Sequence, residues 1–351
     1  MTPSQTSVTR RLKLGSDARL RRRFMVIDGP VKANLRVGLM FEVLDKLAED
    51  TALRYARKVY PDVRVVTAAM DDLKVCAAPD IEKDIVLLAR INFVGRSSME
   101  VGIRVEQAGE SPIRIASCFF TMVARLQEDG PEQGNERSVP LPALDYAGPH
   151  DQRRANRALE RRARLKAGKQ ELVPDLAEYA MLHSLHRELE LASGPLLKPK
   201  ELTTSGWERT YPEYENVPKT IFGGYVVHRA YMYAHICAEM VADQRALLVF
   251  SDRIDFYQPV RMGDKLHFVS RVTYTGRTSL TVETAITRIS RDRAMTALSN
   301  TCIFTFVNVD ADLNLLPIAK MYPTTYSEDI RYLIGHRRRR DYLQNKQPTT
   351  P

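Results

Sequence analysis

Two long stretches of the chain carry apolar residues at helical spacing. Met40, Val43, Leu44, Leu47 and Thr51 fall at i, i+3, i+4, i+7 and i+11, which predicts an amphipathic helix over Gly38–Lys58. A second helix-like stretch runs over Gly224–Gln244 and also begins at a glycine. Each is followed by runs rich in β-branched residues that alternate apolar with polar, the pattern of half-buried strands. These are Ile85–Phe93, Met99–Gln107 and Ile115–Leu126 after the first helix, and Leu266–Tyr274, Leu280–Ile289 and Thr301–Val309 after the second.

The two halves repeat one another. INFVGRSSMEV at 91–101 matches VTYTGRTSLTV at 272–282, with Gly95 and Gly276 181 residues apart. SCFFTMV at 117–123 matches TCIFTFV at 301–307 at a distance of 184, and the helix-starting glycines Gly38 and Gly224 are 186 apart. One unit, a long helix followed by strands, therefore occurs at 28–130 and again at 214–325. Strands joined by short turns pair antiparallel, and a sheet with one apolar face needs the helix to cover it. The fold class is α+β, with two antiparallel sheets each wrapped around a long central helix. Residues 1–27 are a basic arm, 131–213 a largely helical linker, and 326–351 a C-terminal helix with a basic tail.

Composition narrows the function classes. A length of 351 residues suits about two domains, and 44% hydrophobic with 27% charged residues excludes bulk disorder. A net charge of +9 favours anionic partners. The longest apolar runs, such as 113–124, are far short of the ~20 residues of a spanning helix. The four cysteines form no C-x-x-C pair, so a reducing compartment is expected and a zinc ribbon is not. His183 with His186, and His228 with His235, have no third ligand in sight, so no metal is expected. The Arg-rich segments at 153–165 and 337–340 lack interleaved aromatics and are read as solvated faces, with no nucleic-acid partner. No G-x-G-x-x-G, P-loop or G-x-S-x-G motif is present.

The ordered set IFGG at 221–224, PVRMGD at 259–264, GRTS at 276–279 and IFTFVNVD at 303–310 resembles the hot-dog acyl-CoA thioesterases. With the repeat, and with GSDARLRRRF at 15–24 leading into the first unit, the chain is similar to the double hot-dog acyl-CoA thioesterase 9 family over nearly its whole length. The resemblance implies a tandem hot-dog fold, an acyl-CoA substrate, no separate cofactor and a homo-oligomer, most simply a trimer of pseudo-dimers.

A glycine pair opening a helix lets a ligand approach free backbone N–H groups, although it equally suits tight packing. Gly223 and Gly224 hold that position. The Phe41 and Ala48 neighbours of Asp45 place it beside an apolar face, but Glu42, Glu49 and Asp50 share its helix, and the residues alone do not separate them. The resemblance does: the family's helical acid falls on Asp45, with Tyr231 opposite it in the second unit. The family's Asn, five residues before IFGG, falls on Asn216, with Pro30 opposite. One complete site per chain is expected, combining Asp45, Asn216, Gly223 and Gly224 across the two units. The Gly224 N–H is expected to polarise the thioester oxygen. Gly95, Arg96, Ser97 and Ser98, with Gly276, Arg277, Thr278 and Ser279, are expected to contact coenzyme A phosphates, an Arg fork and hydroxyls at a hairpin turn suiting that role.

The first 24 residues are Arg-rich with a single acid, Asp17, the composition of a mitochondrial leader. The family similarity begins near Leu12, which assigns the basic N-terminus to the family core. A cytoplasmic protein is expected, a mitochondrial one being the alternative. The rival readings are a hydratase or dehydratase on the same fold, for which His228 is poorly placed, and a noncatalytic interaction protein.

Overall fold

The repeat closes into a single sheet in the computed structural model of the chain, which describes residues 1–127, 136–166, 173–194, 196–217 and 220–344. The first half contains β1 (Val8–Leu12), α1 (Ala18–Phe24), α2 (Val37–Ala56), β2 (Arg64–Val75), β3 (Ile85–Val94), β4 (Ser98–Gln107), β5 (Ile113–Gln127) and β6 (Glu136–Ser138). Helices α3 (Pro149–Lys166) and α4 (Leu176–Leu191) form the connection. The second half contains β7 (Thr203–Arg209), β8 (Glu215–Val217), β9 (Thr220–Ile221), α5 (Gly223–Glu239), β10 (Arg245–Ser251), β11 (Ile254–Asp255), β12 (Lys265–Thr275), β13 (Ser279–Ile289) and β14 (Thr296–Val309), and α6 (Tyr326–Gln344) ends the described chain.

The strand order is β1-β3-β4-β5-β2-β10-β14-β13-β12-β7, with β6 beside β5 and β11 beside β2. The two half-sheets join antiparallel at β2 and β10, where Leu73 faces Ser251 and Lys74 faces Phe250. Arg253 reinforces this seam, reaching Asp71 at 2.5 Å and Asp255 at 2.7 Å. The sheet is thus continuous across the units.

Each long helix covers its own half. Phe41, Leu44, Ala48 and Ala52 of α2 are at most 1% exposed, as are Ala230, Ala234 and Ala238 of α5. This is why a 3.6-residue period of apolar positions was visible in the sequence. The sheet also recruits strands from outside the expected units. β1, from the arm 1–27, pairs with β3, and β7, from the linker 131–213, pairs with β12. Each half-sheet thereby gains an outer strand.

The basic helices dock on the sheet. Arg161 of α3 reaches Glu100 on β4, and Arg331 of α6 reaches Glu283 on β13, the equivalent strand of the second half, at 3.2 Å. Arg337 binds Glu178 at 2.6 Å, and this hydrogen-bonded ion pair pulls the Glu178 carboxyl down to about 2. These members of the two Arg runs are therefore engaged within the molecule. No helix among the described residues is long and apolar enough to cross a membrane.

Candidate active site

Where α2 passes the start of α5, a carboxylate from the first half meets the backbone of the second. Asp45 is 2% exposed. Its Oδ2 accepts a hydrogen bond from Gly224 N–H at 2.6 Å, and its Oδ1 accepts one from Thr67 Oγ1 at 2.6 Å. The helix start supplies the first donor because its leading N–H groups have no partner inside the helix. The contact needs glycine: a Cβ on Gly224 would lie 2.9 Å from Glu42 Cα and 3.0 Å from Asp45 Cβ. Gly223 adjoins the same carboxylate, a Cβ there falling 3.3 Å from Asp45 Oδ2.

Burial dominates the electrostatics of Asp45. Desolvation pushes its carboxyl up to about 6, against the Thr67 and Gly224 hydrogen bonds, which favour the charged form. Nearby Glu49 adds to the rise. The result is a carboxylate poised close to neutral pH, as a general base or a nucleophile requires.

Asp45, Gly223 and Gly224 are thus brought together as expected from the two units. Asn216 lies on β8, and its side chain falls outside the described residues. Because Gly224 N–H is held by Asp45, the amides of this first turn with no acceptor among the described residues are those of Gly223, next to the carboxylate, and Tyr225.

The opposite position is built differently. Tyr231 is buried, and its ring packs against those of Phe41, Phe304 and Phe306 at centroid distances of 5.8, 5.8 and 6.0 Å. The strand register sets Thr67 against Met122 and Leu248 against Phe306, equivalent places in the two halves, so a leucine stands where the first half has its hydroxyl. Pro30 is exposed in the loop before α2. An aromatic cluster stands in the second half where Asp45 and Thr67 stand in the first.

Two features escaped the sequence reading. Thr67 is the first. The second is a link between the helices, Glu42 on α2 and His228 on α5, which are equivalent positions 186 residues apart. His228 Nδ1 lies 2.6 Å from Glu42 Oε1. The ring is sealed in, since a Cβ on Gly38 would lie 2.1 Å from its Cδ2, and its buried Nε2 has no partner. His186 pairs with Asp329, and His235 with the Ala246 carbonyl. Among the described residues no three His, Cys, Asp or Glu side chains gather as a metal site.

The turns read as phosphate contacts are hairpins of one design, with Gly95 N–H bonded to Ser98 O and Gly276 N–H to Ser279 O, both at 2.7 Å. Arg96 and Arg277 are exposed at their tips. Ser98 Oγ accepts from Arg162 at 2.8 Å and Ser279 Oγ from Arg339 at 3.1 Å, so docked helices already hold these hydroxyls. In the register, Thr67 faces Met122 and Met122 faces Met99. The turn 95–98 is therefore two strands, about 10 Å, from Thr67. The turn 276–279 stands on the Tyr231 side, beside Val307.

The Thr67 contact carries a prediction. Thr67→Val removes a bond that stabilises the charged carboxylate, so the Asp45 carboxyl rises further above about 6. The ascending limb of a pH–rate profile should move to higher pH, and an unmoved limb would show that the hydroxyl does not act on Asp45.

Residues 219–295 match the Thioesterase superfamily. The mitochondrial acyl-coenzyme A thioesterase 9 of Homo sapiens is 25% identical, over 95% of this chain and 79% of its own. An uncharacterized acyl-CoA thioester hydrolase of Zymomonas mobilis is 30% identical, over 34% of this chain and 79% of its own. Among solved structures, an acyl-CoA hydrolase from Bacillus cereus is 26% identical, covering 43% of this chain and 93% of that one with a TM-score of 0.42.

Proposed function

We propose that this chain, which belongs to the hot-dog acyl-CoA thioesterases and hydrolyses acyl-CoA to a free acid and coenzyme A, does so at one site per chain. The observation that carries the site is the buried Asp45 carboxylate held at the Gly223–Gly224 helix start. In this reading Gly223 N–H and the positive end of α5 polarise the thioester oxygen. Asp45 supplies the electron pair, to a water proton or directly to the carbonyl carbon. Gly224 N–H and Thr67 hold Asp45 in place, and Asn216 orients the water or the carbonyl. The acyl–sulfur bond breaks; the water's hydroxyl ends on the acyl carbon, at once or by hydrolysis of an acyl–Asp45 anhydride that restores the carboxylate, and its proton ends on the coenzyme A sulfur.

The turn Gly95–Ser98 is proposed as a coenzyme A phosphate contact through Arg96; the equivalent turn Gly276–Ser279 with Arg277 stands on the Tyr231 side, away from the one proposed site. The mitochondrial name of the human relative supports the second of the two expected compartments.

Release of free thiol from acyl-CoAs of graded chain length tests the reaction. One site per chain predicts that Tyr231→Phe leaves kcat within about twofold of the wild type, since the phenol it removes is packed among aromatic rings in the half that lacks the acid. Titration with a nonhydrolysable acyl-CoA analogue should find one productive site per chain, and two equivalent sites would overturn the reading.

A further inference from the structure

Beside the reactive corner lies a cavity of ≈ 360 Å³ whose walls come from three places: the N-terminal arm, the outer side of α2, and the segment leading into α5. Glu42 and Phe222 line it, and both also touch the Gly224 corner, where a Cβ would meet Glu42 Cα at 2.9 Å and Phe222 Cζ at 3.0 Å. The cavity therefore adjoins, through Glu42 and Phe222, the corner at which the thioester is proposed to react.

Its charge is not evenly engaged. Residues 10–23 hold seven cations and one acid. Of these, Arg11 pairs with Asp84, Arg22 pairs with Asp28, and Arg21 is bonded to the Leu14 and Gly15 carbonyls. Arg10 and Arg23 both line the cavity, are exposed, and have no side-chain hydrogen bond or ion pair among the described residues. Lys46, also at the wall, is paired with Glu49 at 2.8 Å. The carboxylates of the lining are Glu42, which is turned to His228, Glu215, which has a partner, and the exposed Glu213. Two guanidinium groups with no partner among the described residues thus line a cavity beside the reactive corner.

We infer that Arg10 and Arg23 of the N-terminal arm grip the diphosphate of coenzyme A in this cavity. The inference rests on the acyl-CoA reading above and assigns residues to it. Coenzyme A carries phosphate at two places, a diphosphate that ends the pantetheine arm and a monophosphate on the ribose. The diphosphate is the nearer to the thioester along the molecule, and this cavity adjoins the proposed thioester site through Glu42 and Phe222. The turn at Arg96, proposed above, then serves the outer phosphate. Guanidinium groups suit the task because their forked N–H donors match phosphate oxygens in charge and spacing. An acyl chain is the poorer occupant, because it would cover two arginines without neutralising them.

Three substrates separate the possibilities: an acyl-CoA, the same acyl-dephospho-CoA, and the same acyl-pantetheine. The readout is the ratio of kcat/KM for each phosphate-bearing thioester to that for acyl-pantetheine. The double variant Arg10→Ala/Arg23→Ala should lower both ratios by about tenfold or more, mainly through KM, and flatten their salt dependence. Arg22→Ala, on the same arm but outside the cavity, should leave both ratios in place. Equal losses on all three substrates would make the arm a structural element and overturn the inference. So would unchanged ratios, an equal drop in Arg22→Ala, or a change confined to the difference between acyl-CoA and acyl-dephospho-CoA, which would assign the grip to the ribose phosphate. If the alanine pair does not fold, Arg10→Gln/Arg23→Gln keeps bulk and hydrogen bonding while removing charge, and the same ratios apply. A wild-type chain that hydrolyses none of the three thioesters fails the thioesterase reading itself, a separate result.

Discussion

Asp45→Asn should lower kcat by about a hundredfold or more while making the folded chain more stable at pH 8. Both effects follow from the same burial. The carboxyl is pushed up from 3.8 to about 6 because the folded protein disfavours its charge. Below the unfolded value of 3.8 the group is protonated in both states and costs nothing. As pH rises through 3.8 and then past about 6, the folded state must accept a charge that the unfolded chain carries freely. Stability is lost over that window, on the order of 3 kcal/mol once the group is fully ionised. Asparagine carries no charge, keeps the shape, and can accept from Gly224 N–H while its amide donates to the Thr67 hydroxyl. Its stability gain should therefore be clear at pH 8 and vanish near pH 4. Denaturant unfolding at the two pH values, with kcat measured on the same samples, checks this. A variant that keeps full activity would move the chemistry away from Asp45. One that loses activity with no gain at pH 8 would show that burial does not set this carboxyl's charge. In the wild type, kcat should fall as pH drops through about 6, where the base is lost.

The sequence reading reached the parts of this arrangement that repeat at short range. Helices α2 and α5 declare themselves through apolar spacing, and β3, β4, β5, β12, β13 and β14 through alternation, because each buries one face against one partner. Strand β2 does not alternate cleanly. Its pairing with β5 slips between Thr67 and Ala69 and again between Asp71 and Lys74, and Asp72 takes a φ of 41°. A strand interrupted twice offers no stretch of period two long enough to read, so Thr67 was invisible with it. Strands β1 and β7 read as arm and linker because they are outer strands rich in polar residues, VTRRL and TTSGWER.

The acid shows a different limit. Glu42, Asp45 and Glu49 all border the apolar face of α2, and periodicity cannot rank them. What ranks them is long-range: Gly224, 179 residues away, donates to Asp45, while Glu42 is turned to His228 and Glu49 to Lys46. The resemblance named Asp45 because the family pattern carries that distant pairing implicitly. The role expected of Gly224 also depended on the partner. With its N–H bound to the acid, the oxyanion donor proposed here is the neighbouring Gly223.

Gly224→Ala should be among the most damaging single-methyl additions in the chain. The new Cβ would stand 2.9 Å from Glu42 Cα and 3.0 Å from Asp45 Cβ, closer than nonbonded carbons pack. Both neighbours belong to the α2 framework or hang one bond from it, so neither can rotate away as a long side chain would. The helices must part, and the 2.6 Å bond from Gly224 N–H to Asp45 lies directly across the gap. Overpacking of this kind costs roughly 1–3 kcal/mol. The catalytic loss should be larger, because a displaced carboxylate no longer faces the helix start, and kcat should drop by about a hundredfold. Gly109→Ala is the control, since a Cβ there meets only the Ser111 carbonyl at an ordinary 4.0 Å. It should change neither stability nor kcat appreciably. Measured together, the two variants separate a general intolerance of added bulk from the specific closeness of α2 and α5. Wild-type kcat in Gly224→Ala would mean that the helix start and Asp45 need not touch during catalysis, and the oxyanion donors would then have to be sought elsewhere.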